Sequence, residues 1–268
     1  MKDKVVIVTG SSSGIGLAIS REFAMRGARV VIAARTVQKL EDLAHEITSG
    51  GGSCLAIQTD VTREEDCKRL VNETIRLFGR IDILVNNAGI SMRARFDTLD
   101  LSVIKRLMDV NFWGTVYCTK YALPYLLQSR GALVGVSSAA GFHGLPGRTG
   151  YSASKYALHG FLETLRIEYR KNGLHVMIIC PGFTSSNIRI AALTADGSPQ
   201  GESPRKEERM MSAEQVATHL VRGIKRRKRM VVLGLEGKLS FLLKKFSPAL
   251  LDRLSYKAML REPDSPLD

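Results

Sequence analysis

Cysteine is scarce in this sequence and long apolar runs are missing, and each shortage excludes a class of protein. The four cysteines, Cys54, Cys67, Cys118 and Cys180, have neither the spacing of a metal site nor that of a disulfide framework, so we predict reduced, buried thiols and no metal. No apolar run approaches the ~20 residues that a membrane-spanning helix needs. A first strand predicted to begin at residue 4 or 5 leaves no room for a signal peptide, and we therefore expect a cytoplasmic protein.

The sequence also lacks a linker rich in proline, glycine and serine within its first 180 residues. Its 268 residues are 44% hydrophobic, which is enough for one large core, since α/β domains of about 250 residues are common. We predict a catalytic domain over residues 1–234 and an amphipathic basic extension over 235–268. The net charge is +13, but no nucleic-acid-binding motif or aromatic platform accompanies it, so we exclude nucleic acid as a partner.

Short apolar runs alternate with amphipathic segments, a pattern typical of an α/β fold with a parallel sheet and helices on both faces. Asn111 falls inside one predicted helix, an unusual place for a poor helix former. The predicted strands are 4–8, 29–33, 53–58, 82–85, 132–136, 174–179 and 230–233. The predicted helices are 15–26, 36–49, 63–78, 100–128, 151–171 and 213–228.

A glycine-rich turn links the first strand to the first helix. Gly10, Gly14 and Gly16 follow the strand with the spacing G-x-x-x-G-x-G, and helical spacing begins at Leu17. Free backbone N–H groups and the helix dipole at such a turn bind a pyrophosphate. The turn therefore predicts a site for a dinucleotide.

Tyr151 and Lys155 are four residues apart, about one helical turn, so a phenol and an ammonium group would lie side by side on a helix face. A nearby positive charge favours the ionised phenol and lowers its pKa from about 10. The hydroxyl of Ser138 can hydrogen-bond the same reacting oxygen. These residue types suit proton transfer to a carbonyl or from an alcohol, although a Tyr-x-x-x-Lys pair on its own also occurs by chance.

Seven motifs occur in order between Thr9 and about Leu233. They are Thr9-Gly10-x-x-x-Gly14-Ile15-Gly16, Asp60-Val61, Asn86-Asn87-Ala88-Gly89, Asn111, Ser138, Tyr151-x-x-x-Lys155 and Pro181-Gly182. With these motifs the chain resembles the short-chain dehydrogenase/reductase family, in its single-domain branch. The resemblance implies a Rossmann-type, doubly wound, parallel seven-stranded sheet with helices on both faces. It also implies a homodimer or homotetramer that pairs the helices near 100–128 and 151–171.

The resemblance further implies a role for each matching residue. Tyr151 would exchange a proton with the substrate oxygen, Lys155 would lower the pKa of the tyrosine and contact the nicotinamide ribose, and Ser138 would polarise the carbonyl. Asn111 would hold a water that relays protons to the lysine. The predicted cofactor-binding residues are Gly10, Ser12, Ser13, Gly14, Ile15, Gly16, Arg35, Asp60, Val61, Asn87, Ala88, Gly89, Tyr151, Lys155, Pro181, Gly182, Thr184 and Ser186.

Three neighbouring polar residues receive no catalytic role. Ser137 is the less favoured serine, because the family's serine normally precedes its tyrosine by thirteen residues, the position of Ser138. His143 and His159 flank the site in sequence, and we interpret each as structural or substrate-lining. Ser186 stands where the family often has a threonine, which makes its assignment weaker.

An acid is missing at the end of the second strand, where NAD-binding units hold the ribose 2′-hydroxyl about 20 residues beyond the glycines. Ala34 occupies that position and Arg35 follows. A guanidinium matches the charge and geometry of a phosphate, so we predict NADP(H) in preference to NAD(H). Ser11 or Ser12 can add a hydroxyl. Even if Arg35 is only a surface residue, the missing acid still favours NADP(H).

Residues 205–268 hold fifteen Lys and Arg against eight Asp and Glu. Beyond residue 234, an apolar stripe is opposed by Lys238, Lys244 and Lys245, and Pro248 bends or breaks it. This pattern suits peripheral contact with the inner, anionic face of a membrane. It equally suits packing on the sheet or on a partner subunit.

The sequence predicts reduction of a ketone, or oxidation of the secondary alcohol, in a hydrophobic, lipid- or steroid-like molecule. A mobile substrate loop over about 184–209 and the apolar residues Phe142, Leu145, Phe183 and Ile188 suggest the pocket, although such residues also occur in cores. One alternative is a 3-oxoacyl-carrier-protein reductase, whose acidic partner suits the basic chain. Another is a non-catalytic NADP-binding regulatory protein, against which the complete catalytic set argues.

Overall fold

Seven strands form the centre of the molecule in the computed structural model, which describes residues 1–184, 187–203 and 210–267. They are β1 (Val5–Thr9), β2 (Arg29–Ala34), β3 (Ser53–Gln58), β4 (Ile83–Asn86), β5 (Ala132–Val136), β6 (His175–Cys180) and β7 (Met230–Val232). The sheet order is β3-β2-β1-β4-β5-β6-β7, and every neighbouring pair is parallel. This confirms the predicted Rossmann-type sheet. The strands β1, β4, β5 and β6 are buried along their whole length, as the short apolar runs predicted.

Helices cover both faces of this sheet. They are α1 (Gly14–Met25), α2 (Val37–Ser49), α3 (Glu64–Phe78), α4 (Leu101–Met108), α5 (Gly114–Gln128), α6 (Thr149–Glu168), α7 (Ala213–Lys225), α8 (Leu235–Phe246) and α9 (Pro248–Leu260). On one face, α1, α2 and α7 pack over Val6 and Val8, and on the other, α3, α5 and α6 pack over Ile7. Successive side chains of a strand point to opposite faces, so each apolar strand contributes to both cores.

The single helix predicted over 100–128 is wrong in its middle. A π-helical segment, Asp109–Trp113, separates α4 from α5. Its central residue, Asn111, is buried and uses its amide on the backbone of Ile90. Periodicity could not predict this interruption, because its cause is a contact with a residue 21 positions earlier in the chain.

The extension beyond residue 234 forms two helices that meet at Ser247. Pro248 begins α9 at a position where its missing N–H costs no hydrogen bond, so it breaks the predicted stripe in two. Within the described residues, no helix is both long and apolar enough to cross a membrane.

The four cysteines are free. Cys67, Cys118 and Cys180 are buried as predicted, whereas Cys54 is only half-buried on β3, the strand at one end of the sheet.

The topology determines where a ligand can bind. From β1 the chain continues to β2 and β3 on one side, then returns to β4 on the other side of β1. The connections above β1 and β4 therefore diverge and leave a crevice at the carboxyl ends of these strands. The glycine-rich turn after β1 opens into this crevice.

Candidate active site

One cleft at the carboxyl edge of the sheet brings together nearly all of the predicted site residues. Ser138, Tyr151 and Lys155 line it, as does every described residue of the predicted cofactor set. Asn111 lies behind the cleft, and Ser186 lies outside the described residues. Seven sequence segments, from residue 10 to residue 184, thus converge on one place.

The glycine-rich turn is shaped for close approach of a ligand. Gly10 has a φ of 68°, which favours glycine, and a Cβ at Gly16 would lie 2.2 Å from the carbonyl oxygen of Gly10. Ser13 caps α1 without a side-chain hydrogen bond, so the first N–H groups of the helix are directed at the cleft without a capping side chain. This cradle fits a pyrophosphate.

Thr9 and Asn87 hold the ends of β1 and β4 together beneath the turn. The Thr9 hydroxyl accepts hydrogen bonds from the backbone N–H groups of Asn87 at 3.0 Å and Ala88 at 3.1 Å. The Asn87 amide donates to the carbonyl oxygens of Thr9 and Gly10. Sequence reasoning gave Thr9 no role, yet its hydroxyl fixes the floor of the cleft.

At the far end of the cleft, Arg35 follows β2 and Asp60 follows β3. Asp60 carries the one carboxylate among the described residues that line the cleft, and it accepts hydrogen bonds from the backbone N–H and hydroxyl of Thr62 at 3.0 and 2.8 Å. Arg35 is exposed at the end of β2, directly after Ala34. Its guanidinium has the charge and geometry that suit a phosphate.

Tyr151 and Lys155 lie one turn apart on the buried face of α6. Their residues are 8% and 4% exposed, and the Lys155 ammonium nitrogen lies 5.8 Å from the centre of the Tyr151 ring. That nitrogen donates to the carbonyl oxygen of Val136 at 3.0 Å. Ser138 follows Val136 by two residues, and its hydroxyl accepts from the N–H of Ala140 at 3.3 Å. The three groups face one another across β5 and α6.

Burial shifts the pKa of both helix residues. Burial raises the pKa of Tyr151 above its usual value, while the Ser138 hydroxyl and the charge of Arg148 act in the opposite direction. Burial also lowers the pKa of Lys155 to about 8. Loss of hydration therefore outweighs the groups that lower the pKa of Tyr151 in this chain, and the predicted effect of Lys155 on that pKa stays a prediction. A neutral, protonated tyrosine is the starting state of a general acid.

Asn111 is tied to both sides of the site. Its amide oxygen accepts from the N–H of Ile90 at 2.8 Å, and its amide nitrogen donates to the carbonyl oxygen of Ile90 and to the hydroxyl of Ser154. Ser154 directly precedes Lys155 on α6. The π-helical backbone thus places a buried amide beside the lysine, although the water that the resemblance implies there stays a prediction.

Arg148 is a cleft residue that sequence reasoning missed. Its guanidinium donates to the hydroxyl of Ser91 and to the carbonyl oxygen of Met92, both at 2.9 Å. It lies three residues before Tyr151, so it stands one turn away at the start of α6, and its charge lowers the pKa of the tyrosine. The sequence signal that could have revealed Arg148 is its position, one helical turn before Tyr151.

His143 and His159 were interpreted as either structural or substrate-lining, and both make hydrogen bonds to serine hydroxyls outside the cleft. His159 lies behind the cleft, where its Nε2 shares a 2.8 Å hydrogen bond with the hydroxyl of Ser137. His143 is buried, and its Nε2 shares a 2.7 Å hydrogen bond with the hydroxyl of Ser255 on α9. Neither imidazole lines the cleft.

The C-terminal helices pack against the loop that precedes Tyr151. Phe241 of α8 meets Phe142 edge to face at 5.2 Å, and Arg93 pairs with Glu262 at 3.6 Å in a buried setting. A groove of about 590 Å³ separates residues 143–146 from α9, and Leu145 lines both this groove and the cleft. The extension thus forms an outer wall beside the substrate end of the site.

Part of the predicted substrate loop is packed rather than free. Leu193 is buried, and its backbone exchanges hydrogen bonds with Ser91 and Arg93 at 2.9 and 2.8 Å. Ile188 and Arg189 line the cleft. The loop therefore reaches the cleft beside residues 91–93.

Comparison with known proteins agrees with this geometry. A family described as short chain dehydrogenase matches residues 4–196. The 11-beta-hydroxysteroid dehydrogenase 1A of Arabidopsis thaliana is 37% identical over 257 residues, covering 93% of this chain and 73% of that protein. The 11-beta-hydroxysteroid dehydrogenase A of Sesamum indicum is 34% identical over 271 residues, covering 97% and 78%.

A solved structure shares the fold. It is an alcohol dehydrogenase from the archaeon Thermococcus sibiricus complexed with 5-hydroxy-NADP, with a TM-score of 0.76 and 25% sequence identity. The match covers 87% of this chain and 95% of that one. With its parallel sheet, its glycine-rich turn and its Tyr-x-x-x-Lys helix, the chain belongs to the short-chain dehydrogenase family.

Proposed function

We propose that this oxidoreductase uses NADPH to reduce a ketone, or oxidises the corresponding secondary alcohol, in a hydrophobic, lipid- or steroid-like molecule. The observation that carries the proposal is the convergence of Tyr151, Lys155 and Ser138 on the same cleft as the glycine-rich turn. The curated relatives are named as hydroxysteroid dehydrogenases, and that name supports a bulky apolar substrate.

The roles of the three side chains follow from their positions. When bound, the reduced nicotinamide supplies the hydride that the carbonyl carbon accepts. Tyr151, whose pKa burial raises, donates its proton to the oxygen on which negative charge develops. Ser138 donates a hydrogen bond to the same oxygen, and the Lys155 ammonium stabilises the phenolate that remains.

The residues present fit NADPH better than NADH. The N-terminus of α1 and the glycine-rich turn would hold the pyrophosphate, and Arg35 would pair with the 2′-phosphate. The end of β2 offers Ala34 where a carboxylate would be needed for a free 2′-hydroxyl. The neighbouring alcohol dehydrogenase structure contains an NADP derivative, which supports this choice.

Apolar side chains at the substrate end support a hydrophobic ketone. Leu145, Phe183 and Ile188 line the cleft near Tyr151. A 3-oxoacyl-carrier-protein reductase would need room for a partner at this mouth, whereas α9 and the segment after it pack beside it. A cleft mouth that is flanked in this way suits a free small molecule better than a substrate attached to a carrier protein.

A substrate panel tests the proposal. We expect kcat/KM with NADPH to be at least about tenfold higher for steroid or long-chain ketones than for acetoacetyl carrier protein, since burial of two methylene groups accounts for a factor of about ten. Steady-state NADPH oxidation measures both. A preference for the carrier substrate would favour the rival reductase, and no turnover with any ketone or alcohol and either cofactor would favour a regulatory NADP-binding protein.

We also propose that α8 and α9 contact an anionic membrane surface. Leu235, Leu239, Leu242 and Phe246 are 54–86% exposed along α8, with a further row of exposed apolar residues on α9. Residues 235–260 carry five Lys and Arg against two Asp and Glu. Exposed leucines beside lysines suit shallow insertion between anionic headgroups.

Vesicle flotation tests this contact. Replacing Leu239, Leu242 and Phe246 together by serine should lower binding to phosphatidylserine-containing vesicles at least about tenfold, because each buried apolar side chain contributes roughly 1.5–3 kcal/mol. The control carries Met25→Ser and Leu77→Ser, which are 76% and 52% exposed elsewhere, and should float like the parent. Unchanged flotation of the triple variant, or of a chain truncated at residue 234, contradicts membrane contact.

The homodimer or homotetramer that the resemblance implies stays a prediction. Tyr156 and Ile167 are 42% and 72% exposed on the outer face of α6. A side chain at Gly160, between them, would meet no atom within 4 Å, so glycine is not required there by the chain itself. Close approach of a second helix would explain a glycine at position 160. Light scattering of the purified protein measures its mass and so tests whether it forms a dimer or a tetramer.

A further inference from the structure

A buried hydrogen bond lies directly behind the catalytic serine. Ser137 and His159 are 5% and 7% exposed, and the Ser137 hydroxyl lies 2.8 Å from His159 Nε2. His159 stands one turn after Lys155 and two turns after Tyr151, so these three residues form a row on the buried face of α6. The imidazole thus connects this helix to the backbone at Ser138.

The turn that carries Ser138 is built around this pair. A Cβ at Gly141 would lie 2.4 Å from His159 Nε2 and 2.6 Å from the Ser137 hydroxyl oxygen, so the short 3₁₀ turn Ala139–Gly141 rests on both side chains. Gly141 also donates its N–H to the carbonyl oxygen of Ser138 at 3.0 Å. Movement of the imidazole would therefore move the turn and the serine with it.

The same imidazole lies close to the other strand end of the site. Cys180 Sγ is 3.8 Å from His159 Nε2, and the Ser137 N–H donates to the carbonyl oxygen of Ile179 at 2.7 Å. Cys180 is the last residue of β6, directly before Pro181. One side chain therefore connects α6 with the ends of β5 and β6.

His159 is not placed to act on a substrate. It does not line the cleft, and burial and the nearby charge of Lys155 lower its pKa to about 4. A neutral imidazole in this position can hold a hydroxyl but carries no proton to the reacting atoms at neutral pH. Its geometry suits orientation of a neighbour.

We propose that His159 is a positioning residue that, through Ser137, holds the Ser138 hydroxyl at the reacting oxygen. The inference rests on the proposed function, because it needs Ser138 to bond that oxygen. The turn at 139–141 packs on the Ser137–His159 pair and directly follows Ser138, so the pair fixes the position of Ser138 through this turn. Loss of the hydrogen bond lets the turn shift while the fold and the cofactor end of the cleft stay in place.

Replacement of His159 tests the proposal. His159→Leu is expected to lower kcat for ketone reduction about tenfold, since a misplacement of 1 Å can cost up to about 100-fold. His159→Gln, whose amide can still bond Ser137, should stay within about threefold of the parent. Ser137→Ala removes the same bond with a minimal change of volume and should reproduce the loss. The dissociation constant for NADPH should stay within about twofold in all three variants.

A double-mutant cycle separates positioning from general stability. In a Ser138→Ala background, His159→Leu should change the remaining kcat by less than about twofold, because the residue through which it acts is gone. His175→Leu is the matched control. His175 is equally buried and bonds the carbonyl oxygen of Lys228 at the opposite edge of the sheet, so it should lower the unfolding temperature without lowering kcat.

Three results overturn the inference. They are a parental kcat for Ser137→Ala, a tenfold loss that persists in the Ser138→Ala background, and a His159→Gln variant as slow as His159→Leu. A Tyr151→Phe variant with parental turnover would instead remove the proposed function itself. If Tyr151→Phe is inactive while the Ser137 and His159 variants keep the parental kcat, only the positioning role fails.

Discussion

Tyr151→Phe is expected to lower kcat for ketone reduction by about 10²–10⁴-fold, the usual contribution of a positioned general acid. The change removes one oxygen from a side chain that is 8% exposed, so it leaves the packing of the ring unchanged. Tyr151 has the one phenol among the described residues that line the cleft. Lys155 is held against the carbonyl oxygen of Val136 and cannot replace it without losing that bond.

The matched control for this prediction is Tyr156→Phe. Tyr156 stands on the same helix but is 42% exposed on its outer face, so its variant should keep the parental kcat. NADPH binding, followed by the change in nucleotide fluorescence, should stay within a few-fold for both variants, since the pyrophosphate cradle at α1 is untouched. Parental turnover by Tyr151→Phe would contradict the proposed mechanism.

The raised pKa of Tyr151 changes how the site is understood. Sequence reasoning placed a cation next to a phenol and expected an acidic tyrosine, whereas burial of both residues raises the pKa of Tyr151 and lowers that of Lys155 to about 8. A protonated tyrosine suits reduction, because the proton is present when the carbonyl arrives. Oxidation of an alcohol needs the phenolate, so it should require a higher pH than reduction.

Local pattern was sufficient to predict the sheet and the glycine-rich turn. The strands are short, mostly apolar runs, and the turn follows the first of them at the carboxyl edge of the sheet. Pattern alone did not predict that residues 10–16 and 151–155 share a cleft, because Tyr151 and Lys155 lie on α6. The resemblance to the family supplied most of the site's members and their roles.

Contacts between distant segments could not be predicted in this way. Asn111 interrupts its helix because of Ile90, and the Ser137–His159 bond joins residues that are 22 positions apart. The extension was predicted to contact a membrane, the sheet or a partner subunit, and its contact with the loop at 142–147 was not among these alternatives. Periodicity predicts which face of a helix is apolar but does not predict what that face will meet.

The preference for NADPH should depend mainly on Arg35. Arg35→Ser is expected to weaken NADPH binding about 10–100-fold, because a hydrogen bond between charged groups contributes roughly 1.5–3 kcal/mol. NADH has no 2′-phosphate, so its affinity should change little. Adding Ala34→Asp places a carboxylate where the 2′-hydroxyl would bind and should shift the ratio of the two affinities further towards NADH.

Dissociation constants of both nucleotides, measured by fluorescence titration, give this ratio directly. Arg63→Ser is the matched control, since Arg63 is also exposed but is not among the residues that line the cleft. It should leave both affinities unchanged, which separates a specific pairing from the general attraction of a basic protein for a polyanion. If Arg35→Ser and Arg63→Ser weaken NADPH binding equally, the guanidinium at the end of β2 does not recognise the 2′-phosphate. The missing acid at Ala34 and the NADP derivative in the neighbouring structure would then be the remaining arguments for NADPH.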